Sequence, residues 1–107
     1  MAKPKEKNQC PVTATLQLIG GRWKAIILYC LTSGTKRFGE IVVRIPEISR
    51  KVLTEQLKEL EADGLILRKQ YNEIPPRVEY SLTDLGKSLS SVIRELEIWG
   101  IENVLSR

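Results

Sequence analysis

The chain has 107 residues, 42% of them hydrophobic, and carries a net charge of +4, which fits one small domain with enough apolar content for a core. It holds no histidine and only two cysteines, which excludes His-based triads, His general bases, the usual zinc sites and a disulfide scaffold. Residues 1–51 carry ten Lys/Arg against three Asp/Glu, and residues 52–107 seven against ten, so the basic first half suggests a polyanion partner.

Residues 1–9 are polar and Lys-rich and read as a basic arm. They lead into no signal-peptide apolar region. Pro11 suits a first helical position, and Val12, Leu16 and Ile19 follow at helical spacing up to Gly20-Gly21. A second helix begins near Arg22. In RWKAIILYCL, Trp23, Ile26, Ile27, Cys30 and Leu31 share one face, which predicts a core helix stopped by Gly34. Its apolar run, AIILYCL, is far short of the roughly 20 residues of a membrane span, so the expectation is a cytoplasmic protein without membrane contact. SGTKRFGE at 33–40 is only superficially a phosphate loop, because its lysine follows Thr35 instead of a second glycine and no Ser or Thr comes after it. FGEIVVRI at 38–45 predicts a third helix with Phe38, Ile41 and Ile45 buried, broken by Pro46.

The fourth helix runs from the N-cap Ser49 to a stop at Gly64, with Leu53, Leu57 and Leu60 as its apolar stripe. Its charges are reversed with respect to its dipole. Arg50 and Lys51 occupy the first turn, while Glu59, Glu61 and Asp63 crowd the last turns. The macrodipole prefers acids first, at about 0.3–1 kcal/mol per charge. The order of elements explains the reversal. A short connection from the third helix makes 38–63 a helix-turn-helix candidate. LILRKQY at 65–71 and RVEYSL at 77–82 then read as strands joined by NEIPP, which is a wing. Recognition helices enter the major groove by their N-terminal part. Arg50 and Lys51 would then meet phosphates or base edges, with Ser49, Thr54 and Lys58 alongside, and the acidic end would point away. The Thr54 methyl can touch thymine, and Lys can read guanine. Arg37, at the start of the third helix, is a candidate phosphate contact. Glu73 in the wing loop would repel phosphate, leaving wing contacts to Lys69 and Arg77.

Thr83 caps a last helix, predicted over 84–105. Leu85, Leu89, Val92, Leu96 and Trp99 recur at spacings of 4, 3, 4 and 3 residues, close to a coiled-coil period. Ile93, Ile101, Val104 and Leu105 widen the stripe beyond what one hairpin and three short helices cover, which predicts an isologous two-fold dimer through this helix. The fold class is therefore mainly α with a β-hairpin wing.

CPVTATLQLIGGRWKAIILYCL, RFGEI, ISRKVLTEQLKELEADGLI and PPRVEYSLTDLG, in this order, resemble the HxlR family of small, MarR-like winged helix-turn-helix regulators. The resemblance runs from Cys10 to the end of the chain, which makes 1–107 a single domain of that type. It implies a homodimer on an inverted-repeat operator in double-stranded DNA, dimerised through the N-terminal segment and the last helix. The residues themselves show no dinucleotide-binding glycine pattern and no metal-ligand spacing, so no cofactor, metal or enzymatic activity is expected, and no small-molecule effector is specified. In some members the cysteine matching Cys10 senses oxidants or electrophiles. Cys10 also precedes Pro11 at a helix start, where amide dipoles favour the thiolate. Lys3, Lys5 and Lys7 would add to that field. Cys30, by contrast, reads as a small core residue. Two other readings compete. A winged helix that docks on protein is disfavoured by its basic helix start. A small redox enzyme using Cys10 lacks a CxxC partner and any His.

Overall fold

A computed structural model of the chain describes residues 9–106. The basic arm, with Lys3, Lys5 and Lys7, lies outside the described residues apart from its last residue, Gln9. The elements are α1 (Pro11–Ile19), α2 (Lys24–Leu31), β1 (Lys36–Arg37), α3 (Phe38–Arg44), α4 (Arg50–Ala62), β2 (Ile66–Tyr71), β3 (Arg77–Leu82), α5 (Asp84–Ser88) and α6 (Ser90–Gly100), followed by wider π-helical turns over Ile101–Leu105. The strands form one antiparallel sheet in the order β1-β3-β2.

The elements follow the expected order, with local differences. Pro11 opens α1, as its fixed φ and missing N–H allow. The second helix starts at Lys24, two residues later than Arg22. Ile27, Cys30 and Leu31 are buried on its core face, but Ile26 is exposed and Leu28 is wholly buried instead. The apolar arc of α2 is thus wider than one stripe and spills onto the surface. The wing is also broader than a hairpin. Lys36 and Arg37 pair with Tyr80 and Glu79 as a third strand, too short to leave a period in the sequence.

The core gathers α2, α3, α4 and the inner face of the sheet around Ile27, Leu28, Ile41, Leu53, Leu57, Leu60, Leu65 and Ile66, each at most 2% exposed. Ser49 Oγ accepts from Val52 N–H at 3.1 Å and starts α4 as its N-cap. Gly64, at φ 76°, ends it. There the Leu65 N–H reaches Leu60 O and the Gly64 N–H reaches Glu61 O, both at 3.0 Å, the paired closure that favours a left-handed residue after a helix. Thr83 then fastens the far side of the sheet to this corner. Its hydroxyl donates to Gly64 O at 2.6 Å and accepts from Gly86 N–H at 3.0 Å. Gly86 packs so closely that a Cβ there would lie 2.1 Å from Leu65 O.

The last helix is not continuous over 84–105. It breaks at Leu89, whose N–H turns back to Gly86 O at 3.1 Å. The break lets Leu89 pack on the core and lets α6 cross to α2, where Ile93 is buried. Tyr29 Oη donates to Glu97 Oε2 at 2.5 Å and ties the two helices together. Among the described residues no helix is long and apolar enough to cross a membrane.

Candidate nucleic-acid interface

α3 and α4 are joined by residues 45–49, and α4 presents its polar side to solvent. Arg50, Lys51, Thr54 and Lys58 are all exposed, as are Ser49 and Glu55. The stripe Leu53, Leu57 and Leu60 holds the opposite side in the core. Thr54 Oγ1 donates to Arg50 O at 2.8 Å. Its proton is therefore engaged within the helix, leaving a methyl and an acceptor oxygen for a partner. The Arg50 guanidinium lies 5.6 Å from the centre of the Phe38 ring. Phe38, expected in the core, is only half-buried, and the contact brings Arg50 to the start of α3, where Arg37 is the adjoining residue. Arg37 N–H donates to Glu40 Oε1 at 2.8 Å, so the Arg37 backbone is fixed while its side chain stays exposed. Arg37, Arg50, Lys51 and Thr54 thus cluster around the paired starts of α3 and α4. None of the three cations has an ion pair within the described residues.

The acidic end of α4 has a structural partner that sequence alone did not suggest. Lys24 Nζ bonds Glu59 Oε1 at 2.7 Å, and this bond holds the Glu59 carboxyl below its ordinary pKa. Lys24 is largely buried and Glu59 half-exposed, so the pair pins α4 to the first turn of α2. The reversed charges therefore serve two ends. The bases stay free, and at least one acid locks the helix in place.

Lys69 and Arg77 stand apart from that cluster, in the wing. Their register sets Lys69 opposite Glu79 and Tyr71 opposite Arg77. Arg77 Nη2 pairs with Glu73 Oε1 at 3.0 Å, and Nη1 with Glu79 Oε2 at 3.5 Å. Its guanidinium stacks 3.9 Å over Tyr71, and Lys69 Nζ sits 5.0 Å over the same ring. Arg68, which sequence reading passed over, is exposed and has no ion pair within the described residues. A tighter alternation in the first strand would have revealed it.

Cys10 is exposed at the N-cap of α1. The amide and hydroxyl of Thr13, then the amide of Val12, hold its thiol below the ordinary value. Donors at a helix start favour the thiolate over the thiol. Burial pushes the Cys30 thiol up, in line with its reading as a core residue.

Of the expected dimer stripe, Leu85, Val92, Leu96 and Trp99 are exposed, with Trp99 at 61%. Leu89 departs from it and packs on the core, as does Ile93. Val12, Leu16 and Ile26 add exposed apolar surface from α1 and α2. A groove of about 440 Å³ runs between α2 and the C-terminal turns, lined by Ile26, Tyr29, Leu96 and Ile101 among others.

Residues 18–107 match the model of the HxlR-like helix-turn-helix family. The chain belongs to that family. It is 52% identical over 91 residues to YdeP of Bacillus subtilis (strain 168), an uncharacterised HTH-type transcriptional regulator, covering 85% of this chain and 71% of that one. Its fold is similar to that of the redox regulator HypR in its oxidised form, at 47% identity and a TM-score of 0.85, over 88% of this chain and 97% of that one. It is also similar to the reduced form of the regulator YodB from B. subtilis, at 39% identity and a TM-score of 0.76, over 90% and 95% of the two chains. Family and fold make this chain a winged helix-turn-helix transcriptional regulator that binds DNA.

Proposed function

We propose that the chain acts in the cytoplasm as a homodimer on an inverted-repeat operator, with α4 in the major groove and the β2–β3 hairpin as its wing. The observation that carries this reading is the start of α4. Arg50, Lys51 and Thr54 are exposed there, with Arg37 at the start of α3, on a helix whose other side is fixed by three buried leucines and the Lys24–Glu59 bond. Two such helices about 34 Å apart would meet successive major-groove faces of one duplex. The exposed apolar residues of α1, α2 and α6 support the dimer, since contiguous apolar surface of this kind marks an interaction site.

The test is selection of bound fragments from genomic DNA, followed by binding of the selected duplex to Lys51→Ala, Thr54→Ala and Arg37→Ala. Loss at Lys51 and Thr54 should be greater for the selected sequence than for random DNA. Loss at Arg37 should be alike for both, with the salt slope reduced by about 1. Equal loss on both DNAs at all three positions would contradict base reading by α4.

A redox response through Cys10 is a second part of the reading. It is supported by the exposed, thiolate-favouring helix start and by the likeness to HypR, which is a redox regulator by its description. Operator affinity before and after mild diamide treatment, in wild type and Cys10→Ser, tests it. An oxidant effect that survives in Cys10→Ser, or no effect in wild type, contradicts it.

A further inference from the structure

The wing is where the sequence leads one to expect cations facing phosphate, yet Arg77 is ion-paired with two carboxylates and Lys69 lies over the Tyr71 ring. Lys69 and Arg77 share one cluster with Glu73 and Glu79 around the Tyr71 ring. Two positive and two negative side chains leave this cluster without net charge, while Arg68 on the same strand stays exposed. Beyond this cluster lies the loop 72–76, all of it exposed, with Ile74 wholly exposed. A single exposed isoleucine on a protein surface is ordinary. This one stands at the tip of a braced hairpin and is followed by Pro75 and Pro76, which have no N–H to donate and a fixed φ. Asn72 keeps an amide donor, but Ile74, Pro75 and Pro76 at the point of the tip offer phosphate neither charge nor, from the prolines, a hydrogen-bond donor. What it offers is a rigid apolar point.

We propose that Ile74, backed by Pro75 and Pro76, is an apolar wedge that the wing seats in the minor groove beside the segment read by α4. The proposal rests on the DNA-binding reading above. Proteins that enter the minor groove insert Ile, Leu or Pro against base steps and partly unstack them. Pyrimidine–purine steps yield most easily, so the wedge selects sequence without a hydrogen bond to any base. The Arg77–Glu73 bond serves the same end. It holds the one acidic side chain of the tip in a neutral pair and stiffens the base of the loop. An apolar contact releases no counterions, so it adds affinity without steepening the salt dependence.

The experiment uses the full chain and a duplex that the protein selects from random-sequence DNA. Affinity is measured over a series of salt concentrations for wild type, Ile74→Ser, Ile74→Leu and Lys51→Ala. Ile74 is fully exposed, so unfolding midpoints should be unchanged. Ile74→Ser should bind about tenfold more weakly at every salt concentration, the scale of one buried isoleucine lost. It should keep the wild-type slope and lose the preference for a flexible step under the wing. Ile74→Leu should restore most of the affinity. Binding of Ile74→Ser within twofold of wild type overturns the wedge, and so does a slope reduced by about 1 or a Leu variant no better than Ser. If Lys51→Ala weakens binding while Ile74→Ser does not, the wedge alone falls. If wild type selects no duplex, the DNA-binding reading falls with it.

Discussion

α4 and α6 are amphipathic helices of similar length, 13 and 11 residues, and their sequences carry the same kind of apolar stripe. Their fates differ. Leu53, Leu57 and Leu60 of α4 are buried by α2, the sheet and the rest of the core. On α6 only Ile93 is buried, while Val92, Leu96 and Trp99 face solvent. Periodicity tells which residues share a face. It does not tell whether the chain itself has another face to cover it. The exposed polar side of α4 and the exposed apolar side of α6 are therefore complementary signs, one of a nucleic-acid partner and the other of a protein partner.

Truncation on the two stripes should separate them most clearly. Leu57→Ala removes atoms from a closed core and should cost about 2–5 kcal/mol in a denaturant titration. Leu96→Ala removes atoms from open surface and should change the stability of the monomer by no more than about 0.5 kcal/mol. Equal costs would mean that α6 is packed within one chain after all. Assembly gives the next largest contrast. Sedimentation at micromolar concentration should find a dimer for wild type and a monomer for a Leu96→Glu, Trp99→Ser double variant that remains folded. A wild-type monomer would break the comparison at its α6 side.

The two cysteines sharpen it further, since one lies on an open helix start and the other in the core. Cys10 should alkylate readily in the native protein, with its rate rising at a pH below that of an ordinary thiol. Cys30 should react only on unfolding. Native modification of Cys30 at the rate of Cys10 would contradict the packing of α2.

The smallest effect concerns the bond that pins α4. The Glu59 carboxyl has a lower pKa in the folded chain than in the unfolded one. The folded state therefore binds fewer protons. The contribution of the bond is complete above the ordinary glutamate value of about 4.3 and is lost as pH falls through the folded value. Since Glu59 is half-exposed, the change should be small. Lys24→Met should flatten the acid limb of the stability curve in that window, and an unchanged limb would remove the bond from the account.

How much of this was legible follows from the range of each signal. α4 was readable from Ser49 to Gly64 because its cap, stripe and stop are local. The third strand was not, because Lys36 and Arg37 form it only by pairing with β3. The break at Leu89 was hidden by a stripe whose spacing continues through it. Gly86 was its one local trace, required by close contact with Leu65 O. Ile26 was placed in the core because the arc of α2 has no polar border on that side. Arg77 was expected to be free because its two carboxylates meet it only through loop geometry and strand register. At the starts of α3 and α4, the exposure of Arg37, Ser49, Arg50, Lys51 and Thr54 was readable from local pattern, and their contact with DNA is the proposal. The bond between Lys24 and Glu59 and the pairing of Arg77 with Glu73 and Glu79 were not.

The central claim is that an α4 from each of two chains reads DNA while α6 joins the pair. Hydroxyl-radical footprinting of the full chain on a selected genomic fragment tests both halves at once. The account predicts a two-fold symmetric pattern with two protected segments centred about one helical turn, roughly 34 Å, apart. A single asymmetric protected segment, or uniform protection without a centre of symmetry, would contradict it.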